Sequence, residues 1–263
     1  MLTELGLYKL WREDPEKAQR FCRYFMAPVM RALAPSYGYG ADRVPDSGGI
    51  VVAANHLSAL DPAFLGIFSK RTLYCMAKIE LLEVPVAGEL LRWVGTYAVR
   101  RGEGDRDALR VARWVVREGH AAGFFVEGTR QQLGYPGQGH AGAAMVAIQE
   151  EVPVVPCGID TFQWSFRNRR PCALVWGESI DLTGLPKNGR GYKEGARIVD
   201  DAILRLWRQA AEAVIAGFPE QLADGARRFG QISAGGASHV KAQPWPEEEW
   251  AESPLGPVYR GRG

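Results

Sequence analysis

Ile50-Val51-Val52-Ala53-Ala54-Asn55-His56-Leu57-Ser58-Ala59-Leu60-Asp61 is the stretch from which the fold is read, because its character changes at the middle. Five consecutive apolar residues after Gly48-Gly49 read as a strand buried on both faces, the pattern of a parallel sheet. Beyond them Ser58 is placed to cap a helix whose first turn holds Asp61. The strand therefore delivers Asn55 and His56 to its C-terminal end. The five-residue spacing lets Asp61 turn back toward His56 across the bend. A histidine with an orienting carboxylate makes a general base suited to chemistry on an alcohol.

Working outward, short apolar runs alternate with helical stretches. Strands are expected at 72–76, 95–99, 122–126, 152–159 and 173–176, and helices at 86–94, 105–116, 142–149 and 192–216. Gly119 stands just past the second helix as a C-cap. This alternation predicts an α/β fold with a mostly parallel central sheet flanked by helices. Ligands of such sheets sit outside the carboxyl ends of the strands. His56, Arg101 and the turn Glu127-Gly128-Thr129-Arg130 each follow a strand and are expected on one rim. The guanidinium groups of Arg101 and Arg130 match a phosphate in shape and charge. Gly128 lets backbone amides approach a ligand. Arg100 either adds charge there or points into solvent, and His140 reads as a solvated loop residue.

Before this region, residues 1–36 read as two helical pieces that break at Asp14-Pro15-Glu16. In the second piece Phe21, Phe25, Val29 and Leu33 recur every four residues among Lys17, Arg20, Arg23 and Arg31. Such a basic amphipathic segment either lies in an anionic membrane surface or packs on its own domain. Residues 37–218 form the main domain. From 219 to 263 the composition shifts toward glycine, proline and charge, which predicts a peripheral or partly ordered tail.

The bulk numbers exclude several classes. With 263 residues, 46% hydrophobic and 24% charged, the chain suits one large globular domain. A net charge of +2 provides no field for nucleic acid. Cys22, Cys75, Cys157 and Cys172 show no metal-ligand spacing and no disulfide framework, so no metal is expected and a reducing compartment is. Charged residues interrupt the N-terminus where a secretory signal would need an apolar core. No run reaches the roughly 18 to 20 apolar residues of a spanning helix. Any membrane contact is therefore expected to be peripheral.

Four blocks carry a resemblance: Asn55-His56-Leu57-Ser58-Ala59-Leu60-Asp61, Gly95-Thr96-Tyr97-Ala98-Val99-Arg100-Arg101-Gly102, Phe125-Val126-Glu127-Gly128-Thr129-Arg130 and Val152-Pro153-Val154-Val155-Pro156. In this order they resemble the motifs of the glycerolipid acyltransferases, especially the bacterial type of 1-acylglycerol-3-phosphate acyltransferase, over about residues 45–215. Val126 replaces the usual proline and Arg100 a frequent acid; neither change removes a catalytic group. The resemblance implies acyl transfer from acyl-CoA or acyl-carrier protein to a lysophospholipid hydroxyl, without a cofactor. It implies His56 as base, Asp61 as its orienting group, and Arg100, Arg101, Glu127, Gly128, Thr129 and Arg130 around the acceptor phosphate. It also implies a cytoplasmic enzyme working on the inner face of the cell membrane. Gln138 and His140 stand where many relatives carry a lysine, which leaves another lysolipid, an aminolipid or a glycolipid open as acceptor. A non-catalytic lipid-binding protein and a hydrolase are the readings outside this chemistry.

Overall fold

The central strand is the apolar run itself. In a computed structural model of the chain, described for residues 34–78, 96–99, 105–165 and 167–232 with residues 19, 24, 80, 83–85, 88 and 91, Ile50–Ala54 forms β2, buried throughout. Val51 and Ala53 face one apolar layer, while Ile50, Val52 and Ala54 face another. Successive side chains of a strand point to opposite faces, so a strand covered on both sides must be apolar at every position.

Eight strands form one sheet: β1 Ser36–Tyr39, β2, β3 Leu73–Lys78, β4 Tyr97–Val99, β5 Ala121–Phe125, β6 Val154–Asp160, β7 Cys172–Trp176 and β8 Arg228–Ile232. Their spatial order is β4-β3-β5-β2-β6-β7-β1-β8. The five strands from β4 to β6 run parallel, which brings their carboxyl ends to one rim. Beyond them β7 runs antiparallel to β6, β1 parallel to β7, and β8 antiparallel to β1. This is the mostly parallel α/β sheet expected from the sequence, with a reversed edge.

Helices α2 Asp105–Arg117, α3 Gly142–Glu150 and α4 Gly189–Ile215 cover one face, with Val111, Val115, Val146, Ile148, Val199 and Ile203 in a shared core. Helix α1 Asp61–Phe68 covers the other with Phe64, Leu65 and Phe68. The indole N–H of Trp176 on β7 donates to the carbonyl of Phe68 at 3.2 Å, satisfying an acceptor that the end of α1 leaves open. Gly119 ends α2 as expected. At φ +80° it donates to Val116 while His120 donates to Val115, the paired bonds of a Schellman turn.

The last two strands at one side of the sheet, β1 and β8, depart from the expected layout. Ser36, placed in the N-terminal helical segment, opens β1, and residues 228–232 of the expected tail pair with it. The amphipathic stripe of 17–33 lies outside the described residues apart from Gln19 and Tyr24. Gln19 is buried and clamps the start of β3, donating to Leu73 O at 2.7 Å and accepting from Leu73 N at 3.1 Å. The helix expected at 86–94 also falls outside the described residues apart from Gly88 and Leu91, which are both helical. No helix among the described residues is long and apolar enough to cross a membrane.

Strand β6 and helix α4 meet at Gly158, where a Cβ would lie 2.1 Å from Trp207 N and 2.3 Å from the carbonyl carbon of Leu206. Both neighbours are helix backbone and cannot rotate away. Gly158→Ala should therefore lower the unfolding free energy by about 3 kcal/mol, the upper end of overpacking costs. Urea denaturation measures it; a loss under about 1 kcal/mol would contradict this close approach.

Candidate active site

The turn between β2 and α1 is built around one carboxylate. Asp61 is fully buried at the first position of α1. Its Oδ2 accepts from the amides of Leu57 at 2.6 Å and Ser58 at 2.8 Å, and lies 2.8 Å from His56 Nδ1. Its Oδ1 accepts from Ser58 Oγ at 3.2 Å and, in a short hydrogen bond, from Thr161 Oγ1. A carboxylate only accepts, so the Asp61 contact sets the tautomer: Nδ1 carries the proton and Nε2 is the basic nitrogen. The imidazole is stacked on Phe125 of β5, with centroids 4.4 Å apart and planes at 26°. Its side chain retains 17% exposure.

Ser58 does not cap the helix as expected. Its hydroxyl accepts from Leu60 N at 3.1 Å within the turn and donates to Asp61. The preceding Asn55 locks the turn to the sheet. Its side-chain amide donates to Ile159 O and accepts from Ile159 N, both at 2.8 Å. These bonds extend the β2–β6 pairing past the strand end, where buried backbone groups need partners.

The turn after β5 lies beside this loop. Val126 N donates to Ala54 O at 3.0 Å and Gln131 N to His56 O at 2.8 Å. Gly128 has φ +66°, and a Cβ there would lie 3.3 Å from the His140 ring, so both freedom and space call for glycine. Thr129 and Arg130 are exposed on this turn, as is His140. Arg100 and Arg101, expected on the same rim, lie outside the described residues.

Glu127 is turned inward, only 4% exposed. Its Oε1 accepts from Gly137 N at 3.2 Å, whereas Oε2 has no hydrogen-bond partner among the described residues. Burial pushes its carboxyl up to about 8, against the opposing pull of the amides of Gly137, Glu127 and His56; nearby Asp61 raises it further. These amides belong to the two connections that follow β2 and β5, so Glu127 sits beneath the rim rather than on it. The glycine-rich loop is tied down twice more. Tyr135 packs with Leu57, Leu204 and Trp207, and Gly139 N donates to Asp200 of α4 at 3.0 Å. Burial raises the Asp200 carboxyl to about 6.

The structure thus brings together His56, Asp61 and the 127–130 turn. Sequence spacing missed Thr161, Phe125 and the inward Glu127. Thr161 stands 100 positions from Asp61, and no local pattern connects them. The fourth motif block, 152–156, leads into β6 and pairs with β2; it is a wall of the core rather than a lining of the rim.

The elevated carboxyl of Glu127 makes stability depend on pH. Below its ordinary value of 4.5 the group is protonated in both states. Between 4.5 and about 8 the unfolded chain loses this proton and the folded chain keeps it, so the contribution to stability falls as pH rises, and levels off above 8. Glu127→Gln lacks this loss. Its unfolding free energy relative to the parent, measured by urea denaturation, should rise from pH 5 to pH 8, reaching on the order of a few kcal/mol. A difference independent of pH would show that Glu127 ionises normally.

Residues 38–160 match the acyltransferase family. The 1-acyl-sn-glycerol-3-phosphate acyltransferase of Bacillus subtilis is 25% identical over 178 residues, 65% of this chain and 88% of that protein. The human 1-acyl-sn-glycerol-3-phosphate acyltransferase alpha is 33% identical over 130 residues, 47% of this chain and 45% of its own length. The enzyme of the same name from Borreliella burgdorferi is 29% identical over 119 residues, 44% of this chain and 48% of that one. The chain thus spans most of the Bacillus protein and about half the length of the other two. The crystal structure of the 1-acyl-sn-glycerophosphate acyltransferase PlsC from Thermotoga maritima shares the fold with a TM-score of 0.55 and 23% identity, covering 74% of this chain and 83% of that one.

Proposed function

We propose that this chain, whose residues 38–160 match the acyltransferase family, transfers a fatty acyl group from acyl-CoA or acyl-carrier protein to the free hydroxyl of 1-acylglycerol-3-phosphate, forming phosphatidate for phospholipid biosynthesis. The observation that carries this reading is the His56–Asp61 hydrogen bond of 2.8 Å, standing at the rim beside the exposed Arg130. The names of the similar proteins support the acceptor.

In the proposed reaction Nε2 of His56 takes the proton of the acceptor hydroxyl as its oxygen attacks the thioester carbonyl. Asp61 holds the imidazole in the required tautomer and stabilises the imidazolium as it forms. The tetrahedral intermediate collapses, the carbon–sulfur bond breaks, and the imidazolium returns the proton to the leaving thiolate. The balance closes without a metal or a cofactor. Arg130, with the Gly128 and Thr129 backbone, holds the acceptor phosphate; Arg100 and Arg101 are assigned to the same phosphate. Glu127 supports that turn from below. An acceptor of this kind is an amphiphile held in a bilayer, so the enzyme works peripherally on the inner face of the cell membrane.

Purified protein, labelled acyl-CoA and a panel of lysolipid, aminolipid and glycolipid acceptors test the proposal. Lysophosphatidate should give phosphatidate, and His56→Ala should lower kcat by about a thousandfold or more. Arg130→Ala should raise KM for lysophosphatidate about tenfold to a hundredfold, the scale of one charged hydrogen bond. Product from another acceptor alone would displace the assigned substrate. Undiminished turnover by His56→Ala would displace the mechanism.

A further inference from the structure

Asp61 receives five hydrogen bonds, and four of them come from His56, Leu57 and Ser58, its own loop. Among the described residues the donor from outside that loop is Thr161, one position past the end of β6. Bonds within a loop move with the loop. The Thr161 bond instead fixes the carboxylate to the sheet, and it engages Oδ1, leaving Oδ2 for the imidazole.

Thr161 is itself held in place. It is fully buried, and the residue two positions before it is clamped by Asn55 through two bonds of 2.8 Å. Asp160 on one side forms a forked pair with Arg170 at 3.0 and 3.2 Å, and the same guanidinium donates to the carbonyl of Phe162 on the other side at 2.6 Å. Trp164 N donates to the carbonyl of Thr161 at 3.2 Å. A hydroxyl on so constrained a backbone has little freedom to follow a drifting partner. It acts as a fixed reference for the carboxylate plane.

We propose that Thr161 is a positioning residue for the proton-transfer pair, orienting Asp61 so that His56 Nδ1 meets Oδ2 in line; this rests on the assignment of His56 as the base. The Asp61–imidazole bond matters most as the imidazolium forms, so loss of the hydroxyl should act on the chemical step rather than on binding.

The test compares Thr161→Val, which keeps the shape and removes the donor, with Thr161→Ser, which keeps the donor, in steady-state acyl transfer from acyl-CoA to lysophosphatidate. Thr161→Val should lose about tenfold to a hundredfold in kcat with both KM values within about twofold, the scale of one hydrogen bond to a charged group. Thr161→Ser should stay within about threefold of the parent. Circular dichroism and melting temperature confirm folding; should the valine variant not fold, Thr161→Ala makes the same comparison. Full kcat without the hydroxyl would overturn the proposal, as would equal losses in the valine and serine variants or a loss confined to KM. His56→Ala, assayed alongside, separates the two levels. If it remains active the base assignment fails; if it is inactive while Thr161→Val is unimpaired, only the role of Thr161 fails.

Discussion

A fully buried carboxylate is the constraint around which the rest of this structure is arranged. Removing Asp61 from water costs several kcal/mol unless donors replace the solvent, and here two amides, two hydroxyls and an imidazole do so. Each donor requires correct placement of something larger. The amides require the tight turn after β2. Thr161 requires β6 to end in register with β2, and the two Asn55–Ile159 bonds hold that register. A one-residue slip between these strands would turn their buried faces over and move Thr161 away from Asp61. Core packing and site geometry are consequently one problem: β2, buried on both faces, ends in the turn that holds His56.

Two carboxyls stand close to His56, in unlike surroundings. Asp61 is surrounded by donors. Glu127 has one unpartnered oxygen and a carboxyl pushed up to about 8, so near neutral pH it is mostly protonated. A second negative charge beside the pair is thereby avoided, which leaves Asp61 as the proposed counter-charge to an imidazolium. The same inward turn of Glu127 gathers amides from two connections beneath the rim, leaving Thr129 and Arg130 outside. The rim therefore separates roles by depth, with support below and the exposed cation above.

Much of this was legible in the chain because it is written locally. The unbroken apolar run of 50–54 announced a two-faced strand, Gly119 marked the end of α2, and the five-residue spacing from His56 to Asp61 spans a single turn. What was not legible depends on contacts distant in sequence. Thr161 meets Asp61 only because β6 lies next to β2 in space, although the two residues stand 100 positions apart. β1 and β8 are short strands of four and five residues with little periodicity, and their pairing joins opposite ends of the described chain. Glu127 was read as an exposed ligand because a turn motif does not reveal which of its side chains point inward. The two arginines at 100 and 101 keep the role that the resemblance gives them as a proposal, since they lie outside the described residues.

The central claim is that the buried Asp61 carboxylate serves the imidazole and not merely the fold. Asp61→Asn is nearly isosteric, but its amide removes the negative charge and allows the wrong imidazole tautomer. The direct measurement is kcat and KM for acyl transfer to lysophosphatidate by Asp61→Asn, alongside its melting temperature. The account predicts a fall in kcat of about three to four orders of magnitude with KM little changed in a protein that remains folded. A folded variant with kcat within a factor of about ten of the parent would contradict it.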